Sequence, residues 1–263
     1  MKITLISPDK KQYKANLHGH STLSDGRLAP EALRDAYKAH GYSILAITDH
    51  ERPREFTREY INEYIRTAQE NGYLVAYNHP YWSMEDEADI LAYEGLFSLE
   101  ICNYNSYVLN GLEHNGALYD KLLQSGRRIF CHGADDNHND FPFDHPMNDA
   151  FGGFTMVMPE TFTYGSIIDA MEKGEMYASM GPLFRELSVE DGVLHVECSG
   201  ISSIFVYDGG KKCLCIHAHP GETLTGGDFT LNKNARYIRV SVRDAQGRWA
   251  DTRGYFREEM GMD

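Results

Sequence analysis

The sequence predicts an α/β fold followed by a small all-β domain. Up to about residue 180, short apolar runs typical of strands alternate with stretches typical of helices, whereas from Phe184 onward only short alternating strands remain. A chain of 263 residues with 42% hydrophobic residues is long enough for one large α/β domain with a small addition. We therefore predict domains at 1–182 and 183–263, divided where a glycine and a proline in SMGPLFR interrupt both patterns.

Seven segments of the first domain have the composition of short strands, and helical stretches lie between them. The strand segments are 16–20, 43–48 (SILAIT), 73–77 (YLVAY), 97–101, 127–131 (RRIFC), 153–158 (GFTMVM) and 175–178. The helical stretches, several of which end at a glycine, are 30–40, 57–71, 85–92, 110–124 and 164–173. This alternation implies parallel strands joined by right-handed crossovers, in either an open doubly wound sheet or a closed barrel.

The second domain shows alternating strands and turn signals. Its stretches ELSVEDGVLHVEC, SSIFVYDGGK, KCLCIHAHP and RYIRVSVRDAQGR contain DG, GG and QG dipeptides and no helical pattern. The composition predicts a small all-β domain of the sandwich type.

Charge and composition limit the partners and the compartment. The formal net charge of −14 argues against nucleic acid, because a grip on its phosphate backbone needs clustered Lys and Arg; it favours a small phosphorylated metabolite or nucleotide as the ligand. The N-terminal apolar run is short, and no apolar run reaches about 18 residues, so we expect neither a signal peptide nor a membrane span. Five cysteines without the spacing of a disulfide framework indicate free thiols and a cytoplasmic protein. Nothing in the sequence indicates an oligomeric state.

Histidines and aspartates follow several predicted strands at the same end. In an α/β architecture the loops at the carboxyl ends of the strands converge on one opening, which is where functional groups collect. Taken singly, these residues also suit turns and caps, but together they suggest a site for Zn, Mn or Fe, which bind imidazole and carboxylate. The candidate residues are His18, His20, Asp25, Asp49, His50, His79, Asp135, Asp136 and His138. His40, His114, His145 and His195 fall outside this pattern.

A second possible metal cluster lies in CLCIHAH. It places Cys213, Cys215, His217 and His219 on one face of a strand. Four ligands in line along a strand span about 20 Å and cannot all reach one ion. An ordinary half-exposed strand, with at most binding by adjacent pairs, is the better interpretation.

The order H-G-H, S-T-x-S-D-G, T-D-H, N-H-P and D-D-x-H over residues 14–182 resembles the polymerase and histidinol phosphatase (PHP) family of metal-dependent phosphoesterases. The stretch Y-A-S-x-G-P at 177–182 is similar to members with a trailing β domain. The resemblance implies a distorted seven-stranded β/α barrel, similar to a TIM barrel, with two or three divalent ions (Zn, Mn or Fe) that hydrolyse phosphate esters.

The same resemblance assigns the ligands in three sets. His18, His20 and Asp136 would hold one ion, Asp25, His50 and His138 a second, and His79 a third.

The chain departs from the family after T-D-H, where members insert a strand ending in a glutamate that bridges two ions. Only 51–56 separate His50 from the next helix here. Glu51 and Glu100 are the candidates to replace that bridge, and without it the third ion should bind weakly.

The chemistry that follows is hydrolysis of a phosphate ester by water that the metal activates. Asp49 and Asp135 would orient an imidazole or a water, and Arg27 and Arg52 would contact the phosphate, unless they are ordinary surface arginines. Two alternatives remain: a degenerate member that binds a metal or ligand without turnover, and a metallohydrolase acting on amides.

Overall fold

The computed structural model describes residues 1–50, 57–112 and 114–262. Contacts divide the chain into two compact units, 13–155 and 1–12 with 156–263. We call them the central unit and the β unit. These units are defined by contacts, whereas the predicted domains of 1–182 and 183–263 are segments expected to fold independently. The domain limits therefore stay a prediction.

Sixteen strands are present among the described residues. They are β1 (Lys2–Ile6), β2 (Tyr13–Asn16), β3 (Ile44–Leu45), β4 (Ala76–Tyr77), β5 (Ser98–Asn103), β6 (Phe130–Ala134), β7 (Phe154–Val157), β8 (Met176–Ser179), β9 (Phe184–Glu190), β10 (Val193–Ile201), β11 (Ser203–Tyr207), β12 (Leu214–His217), β13 (Leu224–Thr230), β14 (Tyr237–Arg243), β15 (Trp249–Thr252) and β16 (Tyr255–Phe256).

Seven α-helices are described, all before residue 173. They are α1 (Pro30–Ala39), α2 (Arg58–Glu70), α3 (Pro80–Ser83), α4 (Glu87–Leu91), α5 (Tyr104–Asn110), α6 (Gly116–Gln124) and α7 (Tyr164–Glu172). Among the described residues, no helix is both long enough and apolar enough to cross a membrane.

The central unit is built from short parallel strands with helices between them. β2 pairs with β3, and β4, β5 and β6 pair in that order. All six residues of β5 are buried, as a parallel strand covered on both faces requires. The predicted α/β class is therefore confirmed, whereas no closed barrel is seen in the part of the chain that the structure describes.

Local sequence signals account for the helix ends in this unit. Thr57 caps α2, because its side chain accepts a hydrogen bond from the backbone N–H of Tyr60 at 3.2 Å. Asp86 and Asp89 form a reciprocal capping box at the start of α4. α1 starts with a proline at its first position and is followed by Gly41, whose φ of 79° few other residues adopt.

Two predicted elements differ from the structure in a way that matters for the site. The predicted strand 16–20 is wrong, because β2 ends at Asn16 and leaves His18 and His20 beyond it. The helix predicted at 110–124 begins at Gly116, and an unpredicted helix, α5, precedes it. The predicted loop between the fourth strand and that helix is therefore ordered, and it brings Asn103, the cap of α5, into the site.

The β unit consists mainly of antiparallel strands. β1, β9, β10 and β13 form one sheet in that order, and β12, β11, β14, β15 and β8 pair in a second, with β16 on β14. From residue 184 onward no α-helix is present among the described residues. β1 was not predicted, since its five residues alternate too briefly to stand out from the N-terminal segment.

Candidate metal centre

Two groups of donor side chains lie in the central unit. One donor atom each from His20, Asp25, His50 and His138 come within 4.8 Å of one another, and we call these four residues the His20 group. His18, His79 and Asp136 do the same and form the His18 group. All seven residues predicted as metal ligands thus belong to one of two clusters. The predicted set of His18, His20 and Asp136 also lies together, since Nε2 of His20 is 3.3 Å from Nε2 of His18 and 2.9 Å from Oδ1 of Asp136. His79, which was predicted to serve a third ion, lies with His18 and Asp136.

Backbone pairing beyond the strand ends brings the two groups together. The backbone N–H of Asp136 donates to the His18 carbonyl at 3.0 Å, and that of His20 donates to the Asn137 carbonyl at 3.0 Å. Gly19 lies between them, and a Cβ there would stand 2.4 Å from Oδ1 of Asn137. Only glycine lets the two segments approach this closely.

Asp136 contacts both groups. Its Oδ1 lies 3.0 Å from Nε2 of His18 and 2.9 Å from Nε2 of His20, and its Oδ2 accepts a hydrogen bond from Nδ2 of Asn103 at 3.1 Å. The residue has a φ of 54°, a conformation that costs energy for a residue with a side chain and is typical of functional sites. Burial would raise the pKa of Asp136, but the His18 and His20 side chains hold it below its ordinary value. Asp136 is therefore an anion between the two clusters.

Glu100 supports the His18 group from behind. Its Oε1 accepts a hydrogen bond from Nδ1 of His18 at 2.9 Å, and its Oε2 accepts from the backbone N–H of His79 and from Nδ2 of Asn103, each at 2.8 Å. A carboxylate that binds Nδ1 of a histidine fixes the ring so that Nε2 carries the free lone pair. Glu100 therefore orients His18 and anchors His79, with both oxygens engaged.

The charge balance of the His18 group favours a cation. Burial would lower the pKa of His18, yet Glu100 and Asp136 raise it to about 9. Two buried carboxylates thus face this imidazole, and the group holds positive charge readily. His79, with a φ of 33°, completes the group, and Ser83 Oγ lies 3.1 Å from its Nδ1.

The His20 group is stacked and more open to solvent. The His20 ring stacks with the rings of His50 and His138, at centroid distances of 4.3 and 4.4 Å, and those two rings are 6.2 Å apart. Asp25 Oδ2 lies 3.5 Å from Nε2 of His50 and 3.6 Å from Nε2 of His138. Nδ1 of His138 donates to the Asp136 carbonyl at 2.9 Å, which leaves its Nε2 as the atom free to bind a ligand. About half of the Asp25 and His50 side chains is exposed, so this group is reachable from solvent.

Two observations show that these residues fit divalent ions. Nδ1 of His20 is buried, has no hydrogen-bond partner among the described residues, and lies 3.9 Å from Oδ1 of Asp25. A buried nitrogen without a partner is costly unless something binds it. The donor set contains only imidazole and carboxylate, which suits zinc, manganese and iron.

The other predicted site residues have different surroundings. Asp49 accepts hydrogen bonds from the backbone and hydroxyl of Ser21 and from the hydroxyl of Ser24, each at 2.7 Å, and so fixes the turn that leads to Asp25. Asp135 is fully buried and accepts from Tyr37 and from the backbone N–H groups of 151–153. Asp49 therefore binds serines in place of the imidazole predicted for it, whereas the water predicted to be oriented by Asp135 stays a prediction.

The predicted phosphate contacts are only partly described. Arg27 pairs with Asp140 at 2.7 Å on the surface. Arg52 and Glu51 lie outside the described residues. The cluster of Cys213, Cys215, His217 and His219 is not among the donor groups that the described residues form. No disulfide joins any two of the five cysteines.

Sequence reasoning missed three supporting residues. Asn103 holds both Glu100 and Asp136, Ser83 binds His79, and Asp149 accepts from the backbone N–H groups of His138 and Asn139. The one signal available was the polar pair at the end of LEICN, where Glu100 and Asn103 interrupt a buried strand.

Comparisons with known proteins give little further support. No protein-family model matches the chain, and no curated protein matches it. Among solved structures, the chain is similar to a two-domain protein from Bacteroides vulgatus that contains a predicted PHP-like metal-dependent phosphoesterase. The identity is 12%, the match covers 96% of this chain and 89% of that one, and the TM-score is 0.45. A likeness at that level decides neither fold nor function.

Proposed function

We propose that the protein is a metal-dependent phosphoesterase that hydrolyses a small phosphorylated substrate. The observation that carries the proposal is the pair of donor groups joined by Asp136. Two adjacent cation sites that share a carboxylate are typical of enzymes that displace an oxygen at phosphorus. The H-G-H to D-D-x-H motif order of the PHP family supports the same reaction, and under this proposal residues 1–182 form a distorted PHP-type β/α barrel.

The contacts of the donor residues suggest which of them would hold each ion. His20, Asp25, His50 and His138 would hold one ion, and His18, His79 and Asp136 a second, with zinc, manganese or iron as the metals. Bound divalent ions would activate a water and neutralise the phosphate charge. Asp49 positions Asp25 through the Ser21 turn.

Glu100 and Asp135 serve the same site without facing the substrate. Glu100 keeps Nε2 of His18 free, and Asp135 ties the 151–153 backbone to the segment that carries Asp136. The half-exposed face of the His20 group is the side on which we expect the substrate to arrive. The protein would act in the cytoplasm on a metabolite or nucleotide.

The proposal is tested with a panel of phosphate monoesters and diesters. The protein, stripped with a chelator and reloaded with Mn or Zn, is compared with a His18→Ala, His20→Ala variant and with His195→Ala. His195 pairs with Asp228 in the β unit, outside both groups, and serves as the control. We expect turnover in the wild type and the control, and a loss of at least about a hundredfold in the double variant. Equal rates in all three would reject the proposal.

A binding module without turnover is the second candidate. The observation that favours it is that, among the described residues, Asp136 is the one carboxylate with a contact to both groups, because both oxygens of Glu100 are engaged elsewhere. Elemental analysis combined with the activity assay decides between the two candidates. One ion per chain, together with inertness on every phosphate ester and on amides, would favour the module.

A further inference from the structure

A cleft of about 420 Å³ opens in the central unit, lined by residues that adjoin Asp25 and His138 in the chain. Its wall is made by two short segments, Arg27–Leu28 and 139–143. The first begins two residues after Asp25, the second directly follows His138, and the backbone N–H of Arg27 donates to the His138 carbonyl at 2.8 Å. Both lining segments of the cleft are therefore close in the chain to a donor of the His20 group.

We propose that this cleft holds the alcohol portion of the phosphate ester and selects a planar, aromatic group that carries a hydrogen-bond acceptor. The inference rests on the proposed function, since it names the substrate class of that same site. It has three supports in the structure: the charge of the cleft, the faces of its two phenylalanines, and one amide without a partner.

The cleft is electrically neutral and mostly apolar. Its two charged residues, Arg27 and Asp140, pair with each other at 2.7 Å. The remaining wall consists of Leu28, Pro142 and two phenylalanines, beside Asn139. A sugar or a second phosphate placed here would give up its hydrogen bonds to water without replacement, whereas an apolar ring would gain from leaving water.

The two phenylalanine rings are already held in place. Phe141 stacks on His145, with centroids 4.8 Å apart and planes 12° apart. The Phe143 ring lies 4.9 Å from that of Phe151, and 43% of the residue is exposed. Faces that are held before binding lose little entropy when a ligand stacks on them.

Asn139 supplies the polar requirement. The backbone N–H of Asp135 donates to Oδ1 of Asn16 at 3.0 Å, so Nδ2 of Asn16 must donate, and it does so to Oδ1 of Asn137 at 3.2 Å. Nδ2 of Asn137 in turn donates to Oδ1 of Asn139 at 2.9 Å. This relay fixes the orientation of each amide by its neighbour.

The relay leaves one donor of Asn139, a residue that lines the cleft, without a partner among the described residues. Nδ2 of Asn139 is buried and has no partner among the described residues, while the residue itself lines the cleft with a φ of 60°. A buried donor without an acceptor costs free energy, and an acceptor on the ligand would remove that cost. A ring with a carbonyl meets both the apolar and the polar requirement.

The test uses pairs of ligands that differ only in the ring. Benzyl and ethyl phosphate have leaving groups of similar reactivity, so a difference in kcat/KM reports the cleft rather than the chemistry. Benzylphosphonate and ethylphosphonate, which are not hydrolysed, report binding by calorimetry. The proteins are the wild type, Phe143→Ala, and Tyr164→Ala as a control, because Tyr164 is an 82% exposed aromatic residue in the β unit.

We expect the wild type to bind benzylphosphonate about tenfold more tightly than ethylphosphonate, with the same preference in kcat/KM. In Phe143→Ala that preference should fall below about threefold, while Tyr164→Ala keeps it. Adding a 4-acetyl group to benzylphosphonate should tighten binding about fivefold further in the wild type and not in Asn139→Asp, which keeps the acceptor for Asn137 and loses the donor.

The failures of the two proposals differ. A wild type that hydrolyses both esters without preferring the ring overturns the cleft assignment and leaves the phosphoesterase standing. A ring preference in phosphonate binding that Phe143→Ala removes, without hydrolysis of either ester, supports the cleft as a ligand site and rejects the phosphoesterase. Binding of the ring that is equal in Phe143→Ala and the wild type also overturns the cleft.

Discussion

Replacing Glu100 by glutamine should take His18 out of the metal centre while leaving the fold in place. In the wild type, Oε2 accepts two hydrogen bonds, from His79 and Asn103, and Oε1 accepts one from Nδ1 of His18. A glutamine has only one oxygen, and the two donors on the Oε2 side claim it. Its NH₂ group then faces Nδ1 of His18, which must become an acceptor, so the ring proton moves to Nε2.

A protonated Nε2 has no lone pair for a metal ion. Losing the residue that orients a histidine ligand costs 10- to 100-fold in metal affinity, which corresponds to about 1.4–2.7 kcal/mol. Because Glu100 is fully buried, removing its charge also removes a desolvation cost, and we expect thermal unfolding to stay cooperative.

The assay is calorimetric titration of Mn²⁺ into the chelator-treated protein. The matched control is Glu85→Gln, since Glu85 accepts from the hydroxyls of Tyr77 and Tyr93 and touches neither donor group. In Glu100→Gln, the affinity for Mn²⁺ should fall at one of the two sites only. In Glu85→Gln, the affinity should be unchanged at both sites. Unchanged affinity at both sites in Glu100→Gln would show that the orientation of His18 does not depend on this carboxylate, and the reasoning from hydrogen bonds would fail.

Three further predictions follow from other contacts. Trp82 is 58% exposed, and its ring lies 5.1 Å from the His79 ring, so bound Mn²⁺ should quench the tryptophan fluorescence. A Trp82→Phe variant, whose one remaining tryptophan is Trp249, should show no metal-dependent change in fluorescence. Gly19→Ala should lower the free energy of unfolding, measured by chemical denaturation, by about 1–3 kcal/mol and weaken metal binding, because the new Cβ would lie 2.4 Å from Asn137 Oδ1. Unaltered stability would mean that the two segments can separate freely. Burial lowers the pKa of His132 to about 4, so the neutral ring contributes stability above pH 6.5, of which up to about 3 kcal/mol is lost as the pH falls from 6.5 to 4. In denaturant unfolding with chelator present, the stability of His132→Gln should therefore depend less on pH than that of the wild type. Parallel pH profiles for the two proteins would contradict a buried neutral imidazole.

The clustering of the donors was largely predictable from the sequence. His50, His79 and His138 each follow an apolar run, and parallel strands release such residues at a common end. This reasoning needs only the order of elements, which the alternation of runs and breakers supplies. It works although the strands β3 and β4 have only two residues each, since the ends of short strands still converge.

The partition of the donors into two groups was not predictable. Alternation along a strand would aim His18 and His20 at one point, and their Nε2 atoms do lie 3.3 Å apart, although β2 ends at Asn16. Beyond that residue the backbone pairs with Asn137, and the His20 ring also stacks with the rings of His50 and His138. Only a pairing between segments far apart in the chain determines that turn.

The roles of the neighbouring polar residues were also out of reach. Asp49 adjoins His50 in the sequence, yet its oxygens bind Ser21 and Ser24, since those donors cluster in a turn that no periodicity reveals. Asn103 lies on a buried strand, where sequence patterns predict packing rather than hydrogen bonds.

The contact between His20 and Asp136 joins residues 116 positions apart. During synthesis, the ribosome has made about half of the chain before it adds Asp136. Until then, the earlier histidines lack the carboxylate that they contact in the folded protein. Under the proposed function, both ions could bind only after this part of the chain has been made, and a truncated product that stops before Asp136 would carry four of the five donor histidines but neither complete group. Metal uptake would then depend on completion of the central unit.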